Sequence, residues 1–256
     1  MTMCDELNVR LLVTMNADER AQKMYSDRLN AKVICLPSGA VDSELFFPWL
    51  KIDLRDIDVG YRAYDDPVYF LHNDSRKIAE YFIKAGSAAG LRMDISMESS
   101  DRFTGSEWAG FLNRCRGQIG VERGTDVFEL TDALRIQVND YCENNPESSK
   151  EEVFKLFLPK TKNSVSGRML TGRHTEAAAC GCVQILFEGR YNDYFKADEH
   201  YIPLRSDFGN FTEVIEKYND LDVCAKITKN AQEVVLQNLT YERLIGKFHK
   251  YFSEVI

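Results

Sequence analysis

The sequence predicts an α/β protein built on a parallel sheet, because short apolar runs alternate along the chain with segments of helical periodicity. The apolar runs are also short: the longest, such as Val9 to Val13 and Val183 to Phe187, fall well below the roughly 18 to 20 residues that span a bilayer. Composition agrees, since 256 residues with 44% hydrophobic and 28% charged side chains are enough for one large core or two modest ones.

Taken in order, Val9 to Thr14 is predicted as a strand, Asp18 to Leu29 as a helix and Lys32 to Leu36 as a second strand, which completes one βαβ unit. Pro37 to Pro48 then gathers two prolines, a glycine and small polar residues, the composition of a linker, so a boundary is placed near Pro48. Ile57 to Tyr61 and Val68 to Leu71 are expected to be strands or extended segments. Ser75 to Ala85 is expected as a helix whose apolar face is Ile78, Ala79, Phe82 and Ala85. Leu91 to Ile95 and Gln118 to Val121 are further strands, with Gly105 to Arg116 helical between them. Asp132 to Pro146 and Lys150 to Leu158 are helical or mixed, parted by the turn cluster Asn144 to Ser149. Arg173 to Gly181 carries three alanines and ends on glycine, a helix and its stop, and Cys182 to Phe187 follows as a buried strand. After Tyr201 to Leu204, Asn210 to Tyr218, Asp222 to Gln237 and Tyr241 to Phe252 are helices.

The formal net charge of −8 excludes a global positive field for a polyanion or an anionic membrane, so nucleic acid is not expected as a partner. Local arginines can still hold a small phosphorylated ligand. No membrane span and no signal-like N-terminus is found, and the expected location is cytoplasmic. Seven scattered cysteines suit free thiols, and the one-residue spacing of Cys180 and Cys182 is a poor match to zinc; neither a metal site nor a cofactor is expected.

The segment with chemical content is Thr171-Gly172-Arg173-His174-Thr175-Glu176, followed by the three alanines. It places a Gly-Arg pair at a helix start, where unpaired N–H groups and the helix dipole favour a phosphate, and a carboxylate in the first turn. A glutamate serving the dipole and an arginine in a surface ion pair remain the alternative.

This segment resembles the Arg-x-Phe-Glu-Ala-Ala-Ala-x-Gly element of group-1 glycosyltransferases, in particular the branch like bacterial spore-maturation proteins. The resemblance continues through Leu186 to Asn192, His200 to Phe208, Asn210, Glu213 and Val214. Upstream it takes in Asp58 to Arg62, Asp94 to Ser96, Asp101-Arg102 with Gly105 and Trp108, and Gly120 to Gly124, all in the family's order. It implies a GT-B fold, two Rossmann-like domains facing a cleft. Residues 49–256 would be the nucleotide-sugar-binding domain, and residues 1–48 the end of a truncated acceptor-side domain with its hinge. By resemblance Glu176 bonds the ribose of a nucleoside-diphosphate sugar. Arg173, with Gly172, is then the first candidate for the diphosphate, and Arg62 and the Arg76-Lys77 pair are weaker ones, a solvated helix face being the favoured reading for both Arg76 and Lys77. Arg102 and Glu122 either line the cleft or form internal ion pairs; His72, His174 and His200 are expected to be structural, His72 having the best chance of facing the cleft.

Many retaining members of the family carry a second glutamate upstream of the ribose-binding one; here that position is Arg168, which leaves the stereochemistry open. The expected reaction is transfer of a sugar to a hydroxyl acceptor in cell-envelope or polysaccharide synthesis. The alternative is a catalytically silent nucleotide-sugar-binding module. A truncated βαβ unit would expose a sheet edge, which favours a homodimer or a separate acceptor-domain partner.

Overall fold

The computed structural model describes residues 2–161 and 164–255. After a short helix α1 (Thr2–Glu6), strand β1 (Leu11–Thr14), helix α2 (Glu19–Ser26) and strand β2 (Lys32–Cys35) form a parallel pair closed by one crossover. Asp18 caps α2, its side chain accepting the Arg20 N–H. The chain then crosses the linker and enters β3 (Ile57–Arg62), α3 (Asp74–Tyr81), β4 (Met93–Ser96), α4 (Gly105–Arg114) and β5 (Cys115–Gly120). Helices α5 (Ala133–Asn144) and α6 (Lys150–Phe157) follow, then α7 (Gly172–Ala179), β6 (Val183–Phe187), β7 (Ile202–Leu204), α8 (Phe211–Asn219), α9 (Leu221–Asn238) and α10 (Tyr241–Ser253).

Strands β3 to β7 make one parallel sheet in the order β4-β3-β5-β6-β7. Both faces are covered, as a parallel sheet requires. From β6, Val183, Ile185 and Phe187 enter a cluster with Ile78 and Phe82 below and Val214 and Tyr218 of α8, while Leu186 enters the opposite one with Phe111 and Leu112 of α4 and the alanines of α7. The connections run from β3 outward to β4, then back across β3 to β5. The sheet therefore reverses direction between β3 and β5, and a crevice opens at the carboxyl ends of those strands, where open α/β sheets bind ligands.

The two-stranded unit is tied to the rest through several contacts. Val41 N–H donates to Leu239 O at 2.8 Å and the Val41 carbonyl accepts the Tyr241 N–H at 3.2 Å; Asn16 reaches Ser166 O and Asn192 reaches Met15 O, each at 2.8 Å. Lys32 pairs with Glu254.

Two expectations are corrected and one strand is added. Val68 to Leu71 is a 3-10 turn, Val68–Phe70, which Pro67 starts and the left-handed Leu71 (φ 62°) stops. The helix expected to Ala85 is α-helical only to Tyr81 and widens into a π turn over Phe82–Gly86. Ile202–Leu204 is the edge strand of the sheet, its proline unpaired by ladder demands on the outer side.

Candidate functional site

Tyr61 and Arg62 end β3, Gly120 ends β5, and the first turn of α7 lies over both; together with Val121, Arg123 and Arg173 they line a hollow of about 390 Å³. It opens beside a second cleft of about 510 Å³ lined by Arg62, Arg102, Phe103, Trp108, Arg173 and Glu176. A larger groove, about 1330 Å³, runs between Val41 to Pro48 and the α9–α10 junction, and shares no residue with this pair of cavities. Only the crevice at the strand ends combines the sheet's switch point with converging guanidinium groups.

Helix α7 begins at this crevice because Thr171 is extended (φ −127°, ψ 169°) and its N–H donates to Nδ1 of His174 at 3.1 Å. His174 is thereby structural: it is 4% exposed, and burial followed by the neighbouring Arg173 charge holds its pKa at about 4. The sign for stability follows. A histidine whose folded pKa lies below its unfolded value near 6.5 binds its proton mainly in the unfolded state, so stability falls as pH drops from about 6.5 to about 4. Between pH 7 and 4.5 this one group removes about 2 kcal/mol. Urea unfolding of wild type and His174→Gln at the two pH values should show that gap between them shrink by about that amount. An unchanged gap would mean that His174 titrates normally.

Arg173 is the second residue of α7 and its guanidinium has no hydrogen bond or ion pair with any described residue; it lies 5.4 Å from the centre of the Tyr64 ring. Burial lowers its pKa, and the nearby Arg123 and Arg102 charges push the same way. Arg102 is likewise without a carboxylate partner and lies 5.3 Å from the same ring. A half-buried cation without an ion-pair partner is unfavourable, and an anion beside it relieves that cost.

Glu176, one turn after the helix start, accepts the Trp108 indole N–H on Oε2 at 2.8 Å. Burial raises its pKa, which the Trp108 bond and Arg173 offset in part. Oε1 is left for another donor and stands where a Cβ on residue 172 would come within 3.4 Å, so Gly172 keeps its approach clear.

The other residues singled out in the sequence divide. Arg62 lines both cavities but is committed: it pairs with Asp94 at 2.6 Å and donates to Asp101 O at 3.0 Å. Phe103 and Phe111 flank its guanidinium at 5.1 and 4.4 Å. Glu122 faces a different small cavity with Asn16, Asp18, Arg168 and Arg190. Its carboxylate accepts the N–H groups of Arg190 and Tyr191 at 3.2 and 2.6 Å, bracing a loop in which Tyr191, Asn192 and Asp193 are all left-handed. Lys77 is on the exposed side of α3, with Nζ 5.5 Å from the Phe208 ring, and the structure does not bring it to the crevice. Arg76 beside it pairs with Asp65 and Glu80. His72 is buried and donates from Nε2 to Gly124 O at 2.8 Å, and His200 accepts the Lys196 N–H. Arg168 is held by Asp74 and Asp126, each at 2.6 Å.

Several lining residues went unnoticed in the sequence. Arg123, next to Glu122 and in an isolated bridge with Met169, lines the hollow while Glu122 faces the other cavity; it pairs with the fully buried Asp66 at 2.8 Å. Gln118 and Gln184, adjacent in the β5–β6 register, line the hollow with buried Nε2 groups that lack a described partner. A glutamine pair in two apolar runs was the available signal.

A family model described as glycosyl transferase-like matches residues 100–250, more than half of the chain, and the chain belongs to that family. A search of the curated proteins finds no match. Among solved structures, sucrose-phosphate synthase from Thermosynechococcus elongatus is 11% identical with a TM-score of 0.50, over 95% of this chain and 58% of that one. The structure described as a GtfA/B complex is 13% identical with a TM-score of 0.53, over 99% of this chain and 46% of that one. At such identity the likeness shows the fold, which is the GT-B type of group-1 glycosyltransferases. The chain spans about half the length of these structures.

Proposed function

We propose that the chain is the donor side of a glycosyltransferase and takes a nucleoside-diphosphate sugar at the β3–β5 crevice. The observation that carries this is the unpaired Arg173 guanidinium at the start of α7, with Arg102 equally unpaired across the cleft. The diphosphate would lie against the helix start and these two side chains, which offset the charge that grows on the leaving group as the glycosidic bond breaks. Glu176 would accept a ribose hydroxyl on Oε1. Residues 49–256 then form the donor domain, residues 1–48 belong to the acceptor side, and the hydroxyl acceptor is held largely by further protein, within a longer chain or in a partner. Resemblance to the spore-maturation-like branch supports a cell-envelope or polysaccharide acceptor.

Glu176→Ala should weaken binding of a nucleoside diphosphate by about 1.5 to 3 kcal/mol, the worth of a hydrogen bond to a charged group. Inorganic pyrophosphate affinity should be unchanged, because the lost contact is to ribose. Calorimetric titration of both ligands checks this; equal affinity for the nucleotide in a folded variant would remove Glu176 from the site. The second reading is a nucleotide-sugar-binding module that does not turn over. Slow hydrolysis of a bound UDP-, GDP- or ADP-sugar by the purified chain distinguishes the enzyme from it.

A further inference from the structure

Three guanidinium carbons surround one ring. Arg123, Arg102 and Arg173 lie 4.2, 5.3 and 5.4 Å from the centre of Tyr64, all within the range over which an aromatic face attracts a cation. Tyr64 lies just beyond the end of β3, and it is 40% exposed although large and aromatic. The three arginines come from separate places: the loop before α4, the segment after β5 and the first turn of α7. No carboxylate gathers them, since only Arg123 has one, the buried Asp66.

From this we infer that Tyr64 is a positioning residue for anion capture, its ring fixing where Arg102 and Arg173 point before ligand arrives. Arg123 is the fixed member. Its bonds to Asp66 and to the Ser75 hydroxyl at 3.2 Å hold it against the ring, and it also donates to the Tyr64 carbonyl at 3.3 Å. The ring's negative face then offsets repulsion between like charges that would otherwise splay Arg102 and Arg173 into solvent. Their donors remain free for phosphoryl oxygens, whereas a carboxylate in the ring's place would neutralise and occupy them. Preorganised donors bind more tightly because less side-chain freedom is lost on binding.

This inference rests on the reading that the two free arginines hold a diphosphate, so inorganic pyrophosphate is the probe, with UDP, GDP and ADP titrated alongside. In calorimetry on the full chain, Tyr64→Leu should weaken pyrophosphate binding on the order of tenfold, from loss of the ring face. Tyr64→Phe, which keeps that face, should stay within about twofold of wild type. Tyr64→Gln replaces the leucine variant if the latter aggregates. The assignment is overturned if Tyr64→Leu binds pyrophosphate as wild type does, if Tyr64→Phe loses as much as Tyr64→Leu, or if wild type fails to bind millimolar pyrophosphate. Loss of nucleotide binding with pyrophosphate binding intact would also overturn it, since the ring would then stack on the nucleoside. Wild-type binding of pyrophosphate but of none of the nucleotides, with the variant pattern as expected, would instead refute the nucleotide-donor reading and leave the Tyr64 assignment standing.

Discussion

Replacing Arg173 with methionine is expected to weaken nucleoside-diphosphate binding by about 2 to 3 kcal/mol, on the order of 30- to 150-fold, and to raise thermal stability at the same time. The two effects have one origin. The Arg173 guanidinium is half-buried without an ion pair to any described carboxylate, with Arg123 and Arg102 pushing its pKa in the same direction as burial does. Methionine fills similar space without a charge to desolvate. A gain of about 1 kcal/mol would raise the melting temperature by about 2 to 4 °C in a chain of this size. Binding loses a forked, charge-assisted donor set at the helix start, which the remaining N–H groups replace only in part. A residue retained for function at the expense of stability has this signature, whereas losing an arginine with a structural role would lower thermal stability. Thermal unfolding and calorimetry of the same preparation separate the two cases. A fall in melting temperature with unchanged affinity would assign Arg173 to the fold.

Arg55→Ala should have the largest effect on stability, a loss of about 4 kcal/mol and therefore about 8 to 16 °C in melting temperature. Arg55 is 5% exposed and has no ion pair with a carboxylate among the described residues. Its guanidinium instead donates to the carbonyls of Cys115 and Cys180, each at 2.8 Å, and to Leu50 O at 3.2 Å. It is bonded further to Cys182 Sγ at 3.6 Å. One side chain thus ties the approach to β3, the first residue of β5 and the end of α7, the three elements whose opposite ends form the crevice. Alanine would take the guanidinium donor from the buried carbonyls of Cys115 and Cys180 and from the half-buried one of Leu50, a loss of about 1 to 3 kcal/mol for each buried group that water does not reach. Lysine should rescue little, because its single ammonium lacks the planar fork that reaches separate acceptors. A loss below about 1 kcal/mol would show that the surrounding backbone relaxes freely. The buried thiols nearby are inert partners of this arrangement: burial raises the Cys182 thiol to about 11 and pushes those of Cys115 and Cys180 higher.

Much of the fold was legible where periodicity and length agreed. Helices α8, α9 and α10 and strand β6 fall where the apolar pattern places them. The failures have local causes. Val68 to Leu71 has the composition of a strand, but the backbone after Pro67 tightens and Leu71 turns left-handed. Strand β5 begins earlier than its apolar run because Cys115-Arg116-Gly117 carries no alternation: Gly117 is there to admit Tyr218, whose hydroxyl would be 2.7 Å from a Cβ. In the crevice, Arg173, Gly172, Glu176, Arg62 and Arg102 are brought together. Glu122 and Lys77 are not, since one braces the left-handed loop and the other lies on an open helix side. Tyr64 could not have been found from the sequence. Nothing in its neighbourhood separates it from Tyr61 or Tyr69, and its partners come from three distant segments.

The central claim is that the crevice between β3 and β5 binds a nucleoside diphosphate, and a calorimetric titration of the purified chain with UDP, GDP and ADP tests it most directly. One of the three should bind with a dissociation constant on the micromolar order, about −8 kcal/mol, and the Arg173→Met variant should lose most of that affinity. Absence of binding by all three at millimolar concentration, in a chain that unfolds cooperatively, would contradict the account.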